Sequence, residues 1–186
     1  MKLRVVVCLL AVLAFGGMAV KAQEAPKVDI FAGYSYVREN PSTSGVDSFS
    51  LNGGSASLAY NFNNWLGGVA DFGGYRNGNI LNTGVDGTLS TYLFGPRISY
   101  RHSDRVTPFG EVLFGVAHAS ASVLGASGSD NAFAMSLGGG LDVKVANHFS
   151  IRPVKVDYLL TRFNETGTGA QSQNNLRVST GIVFHF

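Results

Sequence analysis

The closing segment Leu176-Arg177-Val178-Ser179-Thr180-Gly181-Ile182-Val183-Phe184-His185-Phe186 changes character at every position. Side chains of an extended chain point alternately to opposite faces. Leu176, Val178, Thr180, Ile182, Phe184 and Phe186 therefore share one face, and Arg177, Ser179, Gly181, Val183 and His185 share the other. A helical period of 3.6 would scatter both sets around the axis. The segment is a strand with one greasy side and one mixed, charged side.

The same period recurs along the chain, with no helical stretch after the first residues. Strands are expected over 28–37, 49–60, 65–75, 88–100, 108–119, 132–145, 150–160 and the terminal segment. The apolar faces carry, among others, Ile30 and Tyr34, Leu58 and Tyr60, Phe72, Tyr92 and Phe94, Phe114, Leu137, Val156 and Tyr158. Connections alternate in length. Those at 38–48, 76–87, 120–131 and 161–174 are long and polar, and those at 61–64, 101–107 and 146–149 are short. Short turns at one end and long loops at the other describe an all-β, eight-stranded, antiparallel, up-and-down transmembrane β-barrel. Aromatic residues cluster at strand ends, as interfacial girdles require. Tyr60, Phe62, Trp65, Tyr100, Phe149, Phe184 and Phe186 mark one edge, and Tyr34, Tyr36, Tyr75 and Tyr158 the other.

The N-terminus has Lys2 and Arg4, then a nearly pure apolar run over 5–20, then Val20-Lys21-Ala22. A basic start, a short apolar core and small residues at the exit describe a signal peptide, with cleavage expected after Ala22. Residues 1–22 are then leader, 23–27 a short periplasmic lead, and 28–186 the barrel. Loss of the leader turns 14 basic against 12 acidic residues into 11 against 12. A nearly neutral mature chain with no basic cluster offers no footprint for nucleic acid. The only cysteine, Cys8, leaves with the leader, so neither disulfides nor thiolate metal sites are expected. His102, His148 and His185 show no metal-ligand spacing, and no metal or cofactor is expected.

If the apolar face meets lipid, Asp29, Asp71, Arg97, Glu111, Asp142, Lys144, Lys155, Asp157 and Arg177 point inward. Both signs occur in similar number, because an unpaired charge in such an interior is costly. Turn symmetry suggests partners. A hairpin centred on Asp104 sets Arg97 across from Glu111, and one centred on Asn63 sets Asp71 across from Ser55. Between strands six and seven, Lys155 falls opposite Gly140 and Asp157 opposite Gly138, with Asp142 diagonal to Lys155. Eight strands enclose a space that side chains just fill. The charges are thus expected to form a plug rather than line a conduit.

The leader, the eight-strand period, the Asn-rich turn before Trp65 and the closing strand together resemble the small outer-membrane β-barrel family (OmpA/OmpX-type), over essentially all of 28–186. That resemblance implies export to the bacterial outer membrane as a monomer among lipid and lipopolysaccharide. It also implies delivery by periplasmic chaperones and insertion by the outer-membrane assembly machinery. Ser179, Gly181, Phe184 and Phe186 stand at the spacing of the family's assembly signal. Two-domain relatives continue into a peptidoglycan-binding domain, which this sequence, ending at Phe186, is not expected to carry.

One constellation invites a catalytic reading. His118 and Ser120 share a face at the outer end of strand five, and a hairpin centred on Gly125 would set Asp130 opposite Ser120. A base, a nucleophile and an orienting carboxylate are the elements of acyl transfer, and lipid A deacylases carry a His-x-Ser pair of this kind. The flanking residues do not match the deacylase pattern, and no oxyanion donor is identifiable. Three roles follow: a structural or surface-interaction barrel with four polar external loops, which is preferred; an outer-leaflet lipid-modifying enzyme; and a minor pore.

Overall fold

The structure is a computed structural model and describes residues 26–40, 48–80, 85–123, 126–165 and 169–186. The expected leader and its cleavage point lie outside the described residues. Eight strands follow one another: β1 (Val28–Glu39), β2 (Phe49–Asn61), β3 (Leu66–Ile80), β4 (Val85–Ser99), β5 (Val106–Val123), β6 (Ala126–Ala146), β7 (Phe149–Glu165) and β8 (Gly169–His185). Each pairs antiparallel with its sequence neighbour, and β1 pairs with β8 to close the barrel. The seam runs from Asp29↔His185 to Arg38↔Leu176. Its end is locked by Val28 N donating to Phe186 O at 3.1 Å and Phe186 N to Val28 O at 2.9 Å.

Closure follows from the alternation. Residues such as Ile30, Leu58, Phe94, Phe114, Leu137 and Val156 stand outside, each 40–53 % exposed, all around the barrel. An apolar belt of that extent is untenable in water. In hydrocarbon it is satisfied, provided that every backbone N–H and C=O is paired within the sheet, which a closed barrel achieves. The tyrosines of one edge reach across strands: Tyr34 Oη donates to Asn52 Oδ1 at 2.5 Å, Tyr158 Oη to Asn174 Oδ1 at 2.5 Å, and Tyr36 Oη meets Ser50 Oγ at 2.6 Å. At the other edge Phe149 packs on Phe184 and Tyr60 on Phe62.

The short turns obey local chemistry. Asn63 Oδ1 accepts from the backbone N–H of Trp65 and of Leu66 at 2.9 and 2.7 Å, an Asx turn that mimics a backbone bend. This places the β2–β3 register one step from the expected one: Asp71 lies opposite Ser57, not Ser55. At the far end the strands outrun their expected limits. β5 and β6 continue to Val123↔Ala126 and β7 and β8 to Glu165↔Gly169. Much of the polar sequence expected as loop is thus strand standing beyond the apolar belt. Ser, Thr, Asn and Gly on both faces suit strands bathed in water on both sides.

Tyr75, expected in the outer girdle, is 1 % exposed and points into the barrel. It lies an odd number of positions from Phe72, which faces lipid, so alternation itself directs it inward. Away from the ends of β6 and β7 nearest their short turn the facing follows the alternation, with Leu137 outward at 53 % exposure near the middle of β6. Leu137→Arg is therefore expected to cost about 2–4 kcal/mol at mid-bilayer depth. The folding equilibrium in lipid vesicles measures it, and an unchanged equilibrium contradicts the facing.

Candidate functional site: the charged interior and the two mouths

Inward residues fall into layers along the axis. Next to the short turns and termini is a cavity of about 320 Å³ bordered by Asp29, Arg97, Arg101, Asp142, Lys144 and His185 among others. Above it sits a layer of buried charge. Arg177 Nη1 donates to Asp71 Oδ1 and its Nε to Asp157 Oδ2, both at 2.7 Å, and Nη1 also reaches Tyr75 Oη at 3.1 Å. Lys155 Nζ lies 3.1 Å from Asp71 and 3.5 Å from Asp157, and it pairs with Glu111. Arg97 completes the group, with Nε and Nη2 each 3.0 Å from Glu111 Oε2. Three cations face three carboxylates, and none of the six residues is more than 3 % exposed. The layer is electrically neutral, the condition on which buried ions persist.

Glycines make room for it. Gly138 stands opposite Asp157 on β7, and a Cβ there would collide with the Asp157 carboxylate and with the Val156 carbonyl. Gly140 faces Lys155 in the same way. Beyond the charges lies an apolar layer of Val37, Leu51, Leu89, Leu93, Leu113 and Leu159 with small Ala117, Ala132 and Ala134, each 5 % exposed or less. Beyond that, a second cavity of about 490 Å³ opens at the long-loop end.

Most residues expected inside are there: Asp29, Asp71, Arg97, Glu111, Asp142, Lys155, Asp157 and Arg177 are all 8 % exposed or less. Lys144 is not. It is exposed at the rim of the 320 Å³ cavity, where the β6–β7 ladder shifts register between Lys144 and Ala146. Asp142 does not serve Lys155. It makes a bidentate pair with Arg152, at 2.7 and 2.9 Å, a residue the alternation had placed outside. The β7–β8 register shifts between Arg152 and Lys155, so both point inward although three positions apart, while Pro153 and Val154 both remain exposed. Pro153 is the legible cause. A proline cannot donate to the ladder, so within sheets it sits at edges or bulges. Inside, the Arg152 guanidinium lies between the rings of Phe31 and Phe109, 4.4 and 4.3 Å from their centroids, a stacked arrangement suited to a desolvated cation.

The catalytic constellation expected at the outer end of β5 is not assembled. The β5–β6 hairpin sets Ser120 opposite Ser129 and His118 opposite Asn131, leaving Asp130 opposite Ala119. A slip of one residue turns a side chain to the other face of a sheet. Asp130 thus stands on the opposite face from Ser120, and His118 Nδ1 bonds Asn131 Oδ1 at 2.8 Å instead.

A different Ser–His–Asp array occurs at the other end, illegible in the sequence because its members lie far apart in the chain. Ser150 Oγ is 2.7 Å from His185 Nε2, and His185 Nδ1 is 2.7 Å from Asp29 Oδ1. Asn61 Nδ2 donates to Asp29 Oδ2 at 2.9 Å and Arg101 lies 3.4 Å from it. The array ties β7, β8 and β1 together across the seam. The other closing-strand residues are structural too: Ser179 Oγ meets Ser35 Oγ at 2.7 Å inside, Gly181 lets β8 approach Gly33 of β1 closely, and Phe184 and Phe186 stand outside.

A closed up-and-down barrel of eight strands, greasy outside and ionic within, defines an integral outer-membrane barrel protein. The sequence matches the family described as outer membrane protein beta-barrel domain over residues 7–186. The chain belongs to that family, whose place is the bacterial outer membrane. No curated protein matches the chain. Among solved structures it is similar to Neisserial surface protein A, at 15 % identity and a TM-score of 0.69, covering 87 % of this chain and 99 % of that one. It is also similar to Ail, the attachment invasion locus protein of Yersinia pestis (20 % identity, TM-score 0.57, 86 % and 99 % covered). OprG from Pseudomonas aeruginosa is a third (13 %, 0.57, 90 % and 99 %). At these identities the likeness is one of fold.

Removing one member of the ionic layer strands its partners. Arg177→Met leaves Asp71 and Asp157 short of a cation, and breaking a buried pair in this way costs about 3–5 kcal/mol. The expected result is a lower urea midpoint in vesicles, with Asp71 and Asp157 intact. A midpoint equal to the parent's contradicts the assignment.

Proposed function

We propose that the protein is a monomeric outer-membrane barrel with a structural or surface-interaction role, occluded along its axis and presenting the long-loop end as its contact surface. The observation that carries this is the pair of stacked layers inside. The neutral ionic layer of Asp71, Arg97, Glu111, Lys155, Asp157 and Arg177 is followed directly by the aliphatic layer around Leu93, Leu113 and Leu159. A hydrated ion moving along the axis would have to part three ion pairs and then shed its water among leucines. In this class the short turns face the periplasm and the long connections face outward. What is left for recognition is therefore the outer mouth and the strands that project beyond the belt. The names of two fold relatives, a surface protein and an attachment invasion locus protein, are in keeping with such a role. Export by a leader cleaved after Ala22, and insertion through the closing-strand signal, belong to the same proposal.

Planar-bilayer recordings test it. Purified protein is expected to give no steady conductance, and reproducible channel currents would refute occlusion.

A second reading, a hydrolase, is favoured by one observation: Ser150, His185 and Asp29 have the atom order of a nucleophile, base and orienting acid. The array also crosses the seam through the His185–Asp29 contact, and Ser150 is only 3 % exposed, so the structural role is the preferred one. A fluorophosphonate probe decides. Absence of labelling on Ser150 is expected, and stoichiometric labelling abolished in Ser150→Ala would establish the hydrolase.

A further inference from the structure

The outer cavity of about 490 Å³ falls within the roughly 300–1,000 Å³ of small-molecule sites. Its wall is largely apolar, with Phe49, Leu51, Ile80, Leu89 and Ala119, and its floor is closed because Leu51 and Leu89 belong to the sealed aliphatic layer. Among the described residues the charged ones lining it are Glu39 and Asp130, with no lysine or arginine. Glu39 is the unusual member. It ends β1, points inward, is only 5 % exposed, and its Oε1 has no hydrogen-bond partner among the described residues. Asn175, which accepts from Asn40 N at 3.0 Å and donates to Thr161 Oγ1 at 3.3 Å, also hydrogen-bonds the Glu39 carboxylate, and Oε1 is the oxygen left over.

A carboxylate withdrawn from water with a free oxygen is costly unless a donor or cation meets it. Every other buried carboxylate of the interior, from Asp29 to Asp157, has a cationic partner. Among the described residues Glu39 alone of them faces a greasy cavity lined by no cation. We propose that this mouth is a binding site for a small amphipathic primary amine, its ammonium on Glu39 and its hydrocarbon body against Phe49, Leu51, Ile80 and Leu89. The closed floor makes the site one of capture rather than passage. It deepens the surface-interaction role by naming a ligand class, and it rests on that role only for the assignment of the outer end. Conductance and binding are separate measurements, so failure of one does not imitate failure of the other.

Isothermal titration of the full chain in nanodiscs, with empty nanodiscs as baseline for partitioning, tests it with phenethylamine as the probe. Saturable one-to-one binding is expected, at least tenfold tighter than that of 2-phenylethanol or 3-phenylpropanoate. Glu39→Gln should weaken it at least tenfold. Should that variant not fold, Ala119→Phe, which fills the cavity without touching the charge, should abolish binding. The site is overturned if the amine and the alcohol bind alike, if Glu39→Gln or Ala119→Phe binds as the parent does, or if phenethylamine shows no saturable heat above the baseline.

Discussion

The molecule depends on a closed ring of backbone hydrogen bonds. A strand edge in hydrocarbon has no water to pair with, and each orphaned amide costs several kcal/mol. The β1–β8 seam is where a sheet of this kind could come open, and side-chain bonds supplement the ladder there. Ten registered residue pairs are supplemented by the reciprocal Val28–Phe186 bonds, the Asp29–His185 contact and the inward Ser35–Ser179 bond. Seen this way, the Ser150–His185–Asp29 array is a clasp at the position of greatest need. It also explains why the closing strand carries so much of the information: its alternate residues serve the lipid face, the interior and the seam at once.

Closing eight strands fixes the interior as narrow, and narrowness dictates its chemistry. Long side chains must cross the axis and meet residues far away in sequence, as Arg177 does with Asp71 and Tyr75. They fit only where the opposite wall is reduced to glycine, as at Gly138 and Gly140. Neutrality then follows from the low dielectric, which tolerates charges in matched sets alone. Charge, glycine and strand number are three expressions of one geometric limit.

How much of this is legible in the sequence depends on whether a residue's position is set by parity or by register. Parity is local. Lipid-facing side chains from Ile30 to Phe184, Ile151 before the β7 bulge excepted, can be assigned from alternation, and so can Tyr75, once its odd separation from Phe72 is respected. Register is not local. The pairing of Arg97 with Glu111 is readable because the Asp104 hairpin is symmetric and regular. Asp71 is misplaced by two residues because the Asn63 turn closes differently from a centred one. A smaller shift, of one residue in the β5–β6 register, is enough to dissolve the His118, Ser120 and Asp130 constellation. Arg152 is hidden for a third reason: a bulge at Pro153 reverses parity midway along β7, and only the proline gives it away. Glu39 is hidden because its strand runs two residues past the last apolar one.

The axial order of the layers bears on where function can lie. The ionic layer sits nearer the short turns and the aliphatic layer nearer the long connections, so the two cavities differ in kind. The periplasmic one is walled by paired charge, with Asp142 held by Arg152 and Asp29 by Arg101 and His185. Its buried carboxylates already have cationic partners. The outer one has an apolar floor and a carboxylate with an oxygen to spare. Among the buried carboxylates of the described residues Glu39 is the one without a cationic partner, and such a group is where recognition can be accommodated at least cost to the fold. We therefore place the proposed recognition at the outer mouth, above the packed aliphatic and ionic side chains.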